Sequence, residues 1–302
     1  MYHGIINVYK EPGYTSHDVV ARLRGILKQK KIGHTGTLDP AAQGVLPVCL
    51  GMGTKLCDML TDKTKTYQAV LLLGRETDTQ DTTGVTLADN ADGAMALDQE
   101  AVKAAVLGFA GDYDQIPPMY SALKVDGKKL YELARAGKEV ERQARRVRIL
   151  DIQVDQIDLP RVNMTVTCSK GTYIRTLCYD IGRTLGCGGC MEQLVRTRVD
   201  RFGIEDSMKL DRIEELAKAG AIEPYILPVE DALAGYPAIS CLQEADSFVH
   251  NGNPCFKQQL DIQTSPEDGR IFRMYDSGGS FIGLYEYQAS RHWWKPQKMF
   301  LT

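Results

Sequence analysis

The segment from residue 33 to residue 48 (GHTGTLDPAAQGVLPV) constrains the fold more than any other part of the chain, because a regular helix is difficult to build from it. Asp39 followed by Pro40 is a common N-cap and first-turn pair, but Gly44 and Pro47 would interrupt such a helix within about two turns. The alternative is a loop, restricted by proline and loosened by glycine, that presents one carboxylate to a ligand. Asp-Pro pairs usually mark turns or caps, so the local pattern by itself favours the purely structural interpretation.

Outside this segment, the spacing of apolar residues predicts both strands and helices. Thr15 and Asp18 have the spacing of a capping box ahead of an apolar helical stripe. Residues 162–168 alternate between apolar and polar, which is typical of a half-buried strand. The predicted strands are Gly4–Tyr9, Thr66–Leu73 and 162–168, and the predicted helices are those that follow Thr15 and those near 99–110, 172–185 and 211–219.

The character of the sequence changes near Gly235-Tyr236-Pro237. Beyond that point, two short β-like runs at 271–275 and 280–287 flank Ser277-Gly278-Gly279, which is typical of a hairpin turn. We therefore expect a small β domain over 236–302, preceded by a larger domain that ends near residue 234.

The composition is that of an ordinary globular protein. The 302 residues are enough for one sizeable core and a small second domain. Apolar residues make up 43% of the chain and charged residues 25%, and no run of about 18 apolar residues occurs. The N-terminal residues lack the basic-then-apolar pattern of a secretory signal. We therefore expect a reduced, cytoplasmic protein that does not bind a membrane.

Basic residues are clustered, although the net charge is −3. One cluster contains Arg196, Arg198 and Arg201, and such a run usually forms a solvated face of the protein. Local patches decide nucleic-acid binding more than the total charge does. In the stretch 111–148, Tyr120 and Tyr131 are interleaved with lysines and arginines, and paired prolines break the pattern. Aromatic rings among cations suit RNA, whose bases stack and whose phosphates attract cations. The alternative is a helical hairpin with a charged outer face, and the sequence alone does not separate the two.

The cysteines and histidines indicate no metal or redox site. Of the eight cysteines only Cys187 and Cys190 have the CxxC spacing, and no second pair or nearby histidine accompanies them. The five histidines are scattered, and the spacing of Asp78 and Asp81 fits an acidic turn. The GxSxG, HExxH and phosphate-loop motifs are absent from the sequence.

Arg175 is predicted to lie in the first turn of the helix at 172–185. A cation at that end of a helix opposes the helix dipole, so it needs compensation, for example from a carboxylate partner. A solvated arginine is nevertheless the commoner case. One aspartate in a loop, one cationic helix start and basic-aromatic flanks indicate an RNA enzyme only weakly, and no reaction follows from them alone.

Five stretches of the chain resemble, in the same order, the TruB family of tRNA pseudouridine synthases. They are GHTGTLDPAAQGVLPVCLGMGTKL, KTYQAVLLLGRETDTQDTTG, IPPMYSALKVDGKKLYELARAG, CSKGTYIRTLCYDIG and LVRTRVDRFGI. The resemblance as a whole covers about residues 3–232. The stretch IFRMYDSGGSFIGLYEY resembles the PUA domain that often follows. The resemblance implies an α+β fold, with a mixed, largely antiparallel sheet and flanking helices over 1–234 and a small β-rich PUA domain over 236–302.

The resemblance also implies the catalytic residues. Asp39 matches the catalytic aspartate of the family, and Arg175 matches the arginine that pairs with it. Tyr67 matches the tyrosine that stacks on the target base, and it is also a candidate base for the final proton removal if its surroundings permit.

Further residues match positions that contact the substrate. His34 matches the loop histidine associated with the flipped nucleotide, and Tyr173 and Leu194 match positions that line the uridine pocket together with Tyr67. Residues 10–13 (KEPG) match an N-terminal motif that packs beside the site. The stretch 111–148 corresponds to a thumb-like insertion that closes over tRNA.

The implied activity is isomerisation of the T-loop uridine of tRNA (position 55) to pseudouridine, after the base has been flipped out. The reaction is an isomerisation, so the resemblance implies no cofactor and no metal. The implied partner is the T-arm of tRNA. The insertion resembles that of the stand-alone bacterial type, which implies a monomer without an obligatory protein partner. Attack at C1′, loss of the base to a glycal-like species and addition at C6 remain open.

Two other functions remain as alternatives. A tRNA-folding chaperone would bind and remodel the T-arm, with catalysis secondary. A nucleoside hydrolase would use Asp39 on small substrates, although the basic-aromatic insertion argues against it.

Overall fold

Burial along residues 161–168 alternates as the sequence predicts. Val162, Met164, Val166 and Cys168 are all fully or almost fully buried, while the residues between them are not. In the computed structural model, which describes residues 1–125, 127–263 and 266–301, this strand lies inside a ten-stranded sheet. A second sheet of five strands is formed near the C-terminus.

The described residues form strands and helices with the following bounds. The strands are β1 Gly4–Lys10, β2 Ile32–His34, β3 Gln43–Leu50, β4 Lys65–Leu73, β5 Arg75–Thr77, β6 Thr86–Asp89, β7 Gly111–Gln115, β8 Lys124–Val125, β9 Lys128–Lys129, β10 Arg145–Asp158, β11 Arg161–Cys168, β12 Gly189–Val199, β13 Phe202–Gly203, β14 Ile226–Leu227, β15 Ala238–Ser240, β16 Cys255–Phe256, β17 Ile271–Tyr275, β18 Phe281–Gln288 and β19 Trp293–Met299. The helices are α1 Ser16–Leu27, α2 Cys57–Thr61, α3 Ala91–Met95, α4 Gln99–Leu107, α5 Leu130–Arg135, α6 Ile174–Thr184, α7 Leu210–Lys218, α8 Val229–Ala232 and α9 Asp246–His250.

The large sheet is mixed and mostly antiparallel. Its strand order is β14-β1-β3-β12-β4-β11-β10-β7, and along this path only the pairing of β3 with β12 is parallel. The central strand β12 places Arg196 opposite Tyr67 of β4 on one side and opposite Gly44 of β3 on the other. The α+β fold with a largely antiparallel sheet and flanking helices is thus confirmed.

Helices cover the large sheet in two apolar clusters. One cluster contains apolar side chains of α4 and α6 packed on β4, β10 and β11, and the other contains those of α1 and α7 packed on β1 and β3. The predicted capping box of α1 is present, since the Thr15 hydroxyl accepts from the Asp18 amide at 3.1 Å and the Asp18 carboxylate accepts from the Thr15 amide at 2.8 Å. Among the helices of the described residues, none is long and apolar enough to cross a membrane.

The C-terminal sheet packs against the large sheet through a shared apolar cluster. Its strand order is β15-β17-β18-β19-β16, and the predicted turn at 277–279 joins β17 to β18. Leu284 and Phe300 lie in the same buried cluster as Ile5 of β1 and Val45 of β3. The C-terminal sheet therefore shares a core with β1 and with β3, the strand that follows the Asp39 loop.

The segment 33–48 contains less loop than the sequence indicates. Its first residues belong to β2 and its last to β3, which pair with each other, and β3 also pairs with β1 from Gly44 to Leu50. Pro47 lies within β3. The apolar residues beside it are buried, and this burial outweighs the local tendency of a proline to interrupt a strand. The loop is confined to residues 35–42, and the helix start considered for Asp39 and Pro40 is not formed.

The stretch 111–148 is not a helical hairpin. Its two ends belong to the large sheet, where β7 pairs with the start of β10. Between them lie the two-residue strands β8 and β9, the short helix α5 and residues without regular structure. Only residues 116–144 therefore project from the sheet; we call them the insertion.

Gly44 lies where β3 pairs with β12, and a substitution there tests how closely the two strands approach each other. Its φ is +107°, and a Cβ at this position would lie 2.2 Å from the carbonyl oxygen of Arg196. We expect Gly44→Ala to lower the free energy of unfolding by more than about 2 kcal/mol, because both backbone strain and a backbone clash are introduced. Chemical denaturation measures the difference.

Gly25→Ala is the matched control for this substitution. Gly25 lies in α1, and a Cβ there would meet no atom within 4 Å. Because alanine is the better helix former, Gly25→Ala should stabilise the protein by about 0.5–1 kcal/mol. Equal effects of the two substitutions would contradict the close approach at Gly44.

Candidate active site

The loop that carries Asp39 is held from below by Lys10. The side chain of Lys10 is fully buried, and its ammonium group donates to the carbonyl oxygens of Ala42 at 2.5 Å, Pro40 at 3.2 Å and Glu11 at 3.2 Å. Burial lowers the pKa of Lys10 to about 8, while the nearby carboxylate of Asp39 acts in the opposite direction. The backbone on the C-terminal side of Asp39 is therefore fixed by one buried cation.

The N-terminal side of the loop is fixed by hydroxyl groups. The Leu38 amide donates to the hydroxyl oxygen of Ser16, the first residue of α1, at 2.9 Å. Both the amide and the hydroxyl of Thr35 donate to the carbonyl oxygen of Pro47 at 3.2 Å. The loop is thus tied to a helix on one side and to its own returning strand on the other, which leaves Asp39 at a defined position.

Arg175 contacts the carboxyl group of Asp39 from the first turn of α6. Its Nε lies 2.9 Å from Asp39 Oδ2, and its Nη2 donates to Asp39 Oδ1 at 3.3 Å. The same guanidinium donates to the carbonyl oxygens of Thr79 at 3.0 Å and Tyr120 at 2.9 Å. The Arg175 side chain is only 5% exposed, so the carboxylate partner expected from its place in the helix is present.

The Asp39 carboxyl is desolvated on one side and open on the other. Burial raises its pKa above the ordinary value of 3.8, and Arg175 opposes this shift without cancelling it. The side chain nevertheless keeps 36% of its surface exposed. An arginine partner alone therefore does not set the ionisation of Asp39, and the accessible part of the carboxyl is where a reacting atom could approach.

Tyr67 lies in β4, beside the Asp39 loop. Its side chain is largely buried, in the same apolar cluster as Leu38 and Leu194. Burial raises the pKa of the Tyr67 phenol to about 12, although the nearby guanidinium of Arg196 acts against the shift. The phenol is therefore neutral near pH 7, and its surroundings do not favour a role as a base.

Tyr173 lies near Asp39 and Arg175, and Leu194 lies near Tyr67. Tyr173 is the N-cap residue of α6, and the side-chain amide of Gln115 binds both its backbone amide, at 2.7 Å, and its carbonyl oxygen, at 3.0 Å. Burial raises the pKa of the Tyr173 phenol, and the charges of Arg175 and Asp39 also act on it. Leu194 is 8% exposed on β12 and packs in the cluster that contains Tyr67.

His34 lies at the base of the loop rather than beside the Asp39–Arg175 pair. Its Nδ1 accepts a hydrogen bond from the Gly36 amide at 3.3 Å, and its ring meets that of His17 edge-on at 5.4 Å. Burial lowers the pKa of His34, as do the nearby His17 and Arg196. The ring is therefore neutral at neutral pH and anchors the entrance of the loop.

Asp81 is a charged residue beside the site. The sequence alone predicts only that it lies in an acidic turn. Its carboxylate lies 3.8 Å from Arg175 and accepts from the hydroxyl of Thr79 at 2.8 Å and from the hydroxyl and amide of Thr83 at 2.5 Å and 3.0 Å. The spacing Thr-x-Asp-x-Thr favours such a network. The sequence therefore indicates the hydrogen-bond network, but the position of Asp81 beside Arg175 depends on the tertiary fold.

Arg196 was grouped with surface cations in the sequence, and this interpretation is wrong. The residue is 2% exposed, and its Nε donates to the carbonyl oxygen of Val45 at 2.7 Å. It lies beneath the Asp39 loop, opposite Tyr67. Its burial follows from its position in the central strand β12, which no local pattern reveals.

The CxxC pair does not form a disulfide, and all eight cysteines are free. Cys187 and Cys190 are both buried, and burial raises the pKa of each thiol. Within residues 1–125, 127–263 and 266–301, no group of three or more His, Cys, Asp or Glu side chains is arranged to hold a metal ion.

Comparison with known families agrees with this arrangement. A family model described as the N-terminal domain of TruB family pseudouridylate synthases matches residues 24–174, and one described as the C-terminal domain of tRNA pseudouridylate synthase B matches residues 175–234. The chain belongs to the TruB family. It is therefore a pseudouridine synthase, an isomerase.

Individual relatives match over most of their length. The tRNA pseudouridine synthase B of Lachnoclostridium phytofermentans is 49% identical over 99% of this chain and 100% of its own. That of Geobacter sulfurreducens is 45% identical over 85% of this chain and 84% of its own. Among solved structures, a chain of a Cbf5–Nop10–Gar1 complex is similar to this TruB family member with a TM-score of 0.73 and 27% identity, over 99% of this chain and 85% of that one.

Removal of Arg175 should loosen the segments that it holds together. Arg175→Ala leaves the partly buried carbonyl oxygens of Thr79 and Tyr120 without this donor, at a cost for each group of at most about 1–3 kcal/mol, the cost of a fully buried group. We expect faster amide hydrogen exchange around residues 78–82 and 119–121, measured by mass spectrometry.

Arg183→Ala is the control for this measurement, because Arg183 is exposed at the other end of α6. It should leave exchange in both segments unchanged. Exchange in Arg175→Ala that matched the unmodified protein would show that Arg175 does not hold the insertion in place.

Proposed function

We propose that this TruB family protein converts a uridine of tRNA to pseudouridine, with Asp39 as the catalytic carboxylate. The observation that carries the proposal is the Asp39 carboxyl, which is held at 2.9 Å by Arg175, remains partly exposed and lies beside the buried Tyr67. The names of the relatives support tRNA as the substrate. Within tRNA, we propose the T-loop uridine (position 55), as the family resemblance implies.

The reaction breaks the N1–C1′ bond of uridine and forms a C5–C1′ bond. N1 gains a proton and C5 loses one, so that product and substrate have the same composition. The ionised carboxylate of Asp39 would attack C1′, assist loss of the base to a glycal-like species or add at C6. In each case Arg175 orients the carboxylate and its positive charge stabilises the ionised form.

We propose that Tyr67 acts by stacking on the target base and not as the base that removes the C5 proton. A phenol with a pKa of about 12 is protonated near neutral pH. The ring is held in the apolar cluster with Leu194, so it offers a rigid surface to a uracil. Tyr173 would close the pocket from the N-terminus of α6, and His34 would contact the nucleotides at the loop entrance.

Access to Asp39 favours a flipped nucleotide as the substrate. Tyr67 and Leu194 are each 8% exposed, so a base that is stacked within RNA cannot contact them. Extrusion of a base costs a few kcal/mol, which stacking and phosphate contacts would offset. Glycines on both sides of Asp39 allow an RNA backbone to approach the loop closely.

Two surfaces are proposed to hold the rest of the tRNA. The insertion exposes Lys124 and Lys128 near Tyr131, whose ring is contacted by Lys129 and Arg135 at 5.4 Å. This arrangement offers both cations and an aromatic face to the T-arm. We further propose that residues 1–234 form the catalytic domain and that 236–302 form a PUA domain that adds RNA contacts.

Asp39→Asn tests the reaction and the residue together. The amide keeps the shape of the side chain but cannot act as a nucleophilic carboxylate, so we expect a loss of isomerisation by at least about 10³-fold. Binding to tRNA should change little. Pseudouridine is mapped to the nucleotide on an unmodified tRNA transcript, with the purified chain as the only protein.

The same assay separates the alternatives. Product at the T-loop uridine with the unmodified protein alone, and none with Asp39→Asn, supports the proposal and shows that no guide RNA or protein partner is needed. Tight tRNA binding by both proteins without product would favour a folding chaperone. Cleavage of free uridine in the absence of RNA would favour a nucleoside hydrolase.

The pH dependence of the reaction should report the ionisation of Asp39. Since burial raises the pKa of this carboxyl above 3.8, the group is still protonated at pH values where an ordinary aspartate is ionised. The rate should rise with pH as the carboxyl ionises, with a midpoint above 3.8 in kcat/KM. Arg175→Gln should move the midpoint further upward, because the opposing positive charge is removed.

A direct titration checks the assignment. The ¹³C carboxyl resonance of Asp39, identified by its absence in Asp39→Asn, should titrate with the same midpoint as the rate, while circular dichroism confirms that the protein stays folded. A midpoint at or below 3.8 would contradict the effect of burial.

A further inference from the structure

Arg196 carries a buried charge that folding alone does not explain. It is 2% exposed, and in the described parts of the chain no carboxylate lies within salt-bridge distance of it. Removal of a guanidinium from water is costly, and replacement of buried charges by apolar side chains is often neutral or stabilising. A buried arginine paired only with uncharged groups therefore points to a task beyond stability.

The contacts of Arg196 connect both ends of the Asp39 loop. Its Nε donates to the carbonyl oxygen of Val45 at 2.7 Å, and its Nη2 donates to that of Gly36 at 3.5 Å. Gly36 lies just before Asp39, and Val45 lies in β3, where the loop has ended. A single planar group therefore holds the carbonyls on both sides of the catalytic loop, and its five donors suit such a role.

Arg196 also lies next to Tyr67. The two residues are register partners in β12 and β4, so their side chains leave the same face of the sheet, and the guanidinium acts against the effect of burial on the pKa of the Tyr67 phenol. A guanidinium only donates hydrogen bonds, so toward Arg196 the phenolic oxygen can act only as an acceptor. A phenol that accepts from Arg196 keeps its own hydrogen for another group.

We propose that Arg196 is a positioning residue that acts on the reaction through the hydroxyl of Tyr67. It holds the Tyr67 ring in register with the Asp39 loop and orients the phenolic hydrogen toward the substrate. This inference rests on the proposed function. Arg196 is too deeply buried to contact the RNA, so its effect must pass through Tyr67 and the loop.

A double-mutant cycle tests the coupling. Arg196→Lys, Tyr67→Phe and the double variant are compared with the unmodified protein, on an unmodified tRNA transcript. Lysine keeps the charge, but a single ammonium cannot reach all three partners in the same geometry. The single-turnover rate at saturating enzyme and the tRNA affinity are measured separately, so that chemistry and binding are distinguished.

We expect Arg196→Lys to lower the single-turnover rate by about tenfold in the unmodified background, and by clearly less, about two- to threefold, when Tyr67 is already Phe, because only the contacts with the loop carbonyls are then lost. Affinity for tRNA should change by less than about threefold in all four proteins. Arg196→Gln, which lacks the charge, should be slower than Arg196→Lys in the unmodified background. Partial rescue by lysine is the outcome that a merely structural role would not produce.

Three results would overturn the proposal. An equal loss of rate in both backgrounds would show that Arg196 does not act through the Tyr67 hydroxyl. A loss confined to tRNA affinity would assign Arg196 to binding, and unfolding of both Arg196→Lys and Arg196→Gln would make it a determinant of folding. Arg212→Lys is the control, since Arg212 is exposed on α7 and pairs with Glu215 on the same helix. Absence of product with the unmodified protein would instead reject the proposed function.

Discussion

The ion pair between Arg175 and Asp39 is the contact on which the arrangement of the site depends. The guanidinium is almost fully buried and joins three segments that are distant in sequence: the Asp39 loop, the turn that contains Thr79, and the insertion at Tyr120. Only the guanidinium of this pair is buried, so the Asp39 carboxylate and the two carbonyl oxygens together compensate its charge. The position of the carboxylate and that of the insertion are therefore not independent.

Features set by neighbouring residues could be predicted from the sequence, whereas those set by strand pairing could not. The capping box of Thr15 and Asp18 and the alternation along 162–168 are local, and both are present in the structure. The place of Arg175 in its helix predicted that it needs a carboxylate, since the helix dipole is also a local property. The identity of that partner, 136 positions away in the sequence, depends on the tertiary fold. Only the family resemblance pointed to Asp39.

The two wrong interpretations, of the segment 33–48 and of Arg196, have the same physical origin. The last part of the segment 33–48 forms β3 because β1 offers a pairing partner, and its first residues form β2 because they pair with β3. The local glycine and proline content does not reveal these partners. Arg196 was taken for a surface cation because its neighbours in the sequence are charged, yet the residues on either side of it on the sheet are Tyr67 and Gly44. Burial of a polar side chain follows from the position of its strand within the sheet.

The apolar cluster between the two sheets limits which sequence changes such a chain can accept. Leu284 and Phe300 pack on Ile5 of the strand that ends in Lys10, and on Val45 of the strand that follows the Asp39 loop. The C-terminal sheet therefore cannot be exchanged freely for another unit. A replacement would need an apolar face that matches the one on β1 and β3 of the large sheet. A change in the C-terminal sheet is therefore constrained by residues only a few positions from the Asp39 loop.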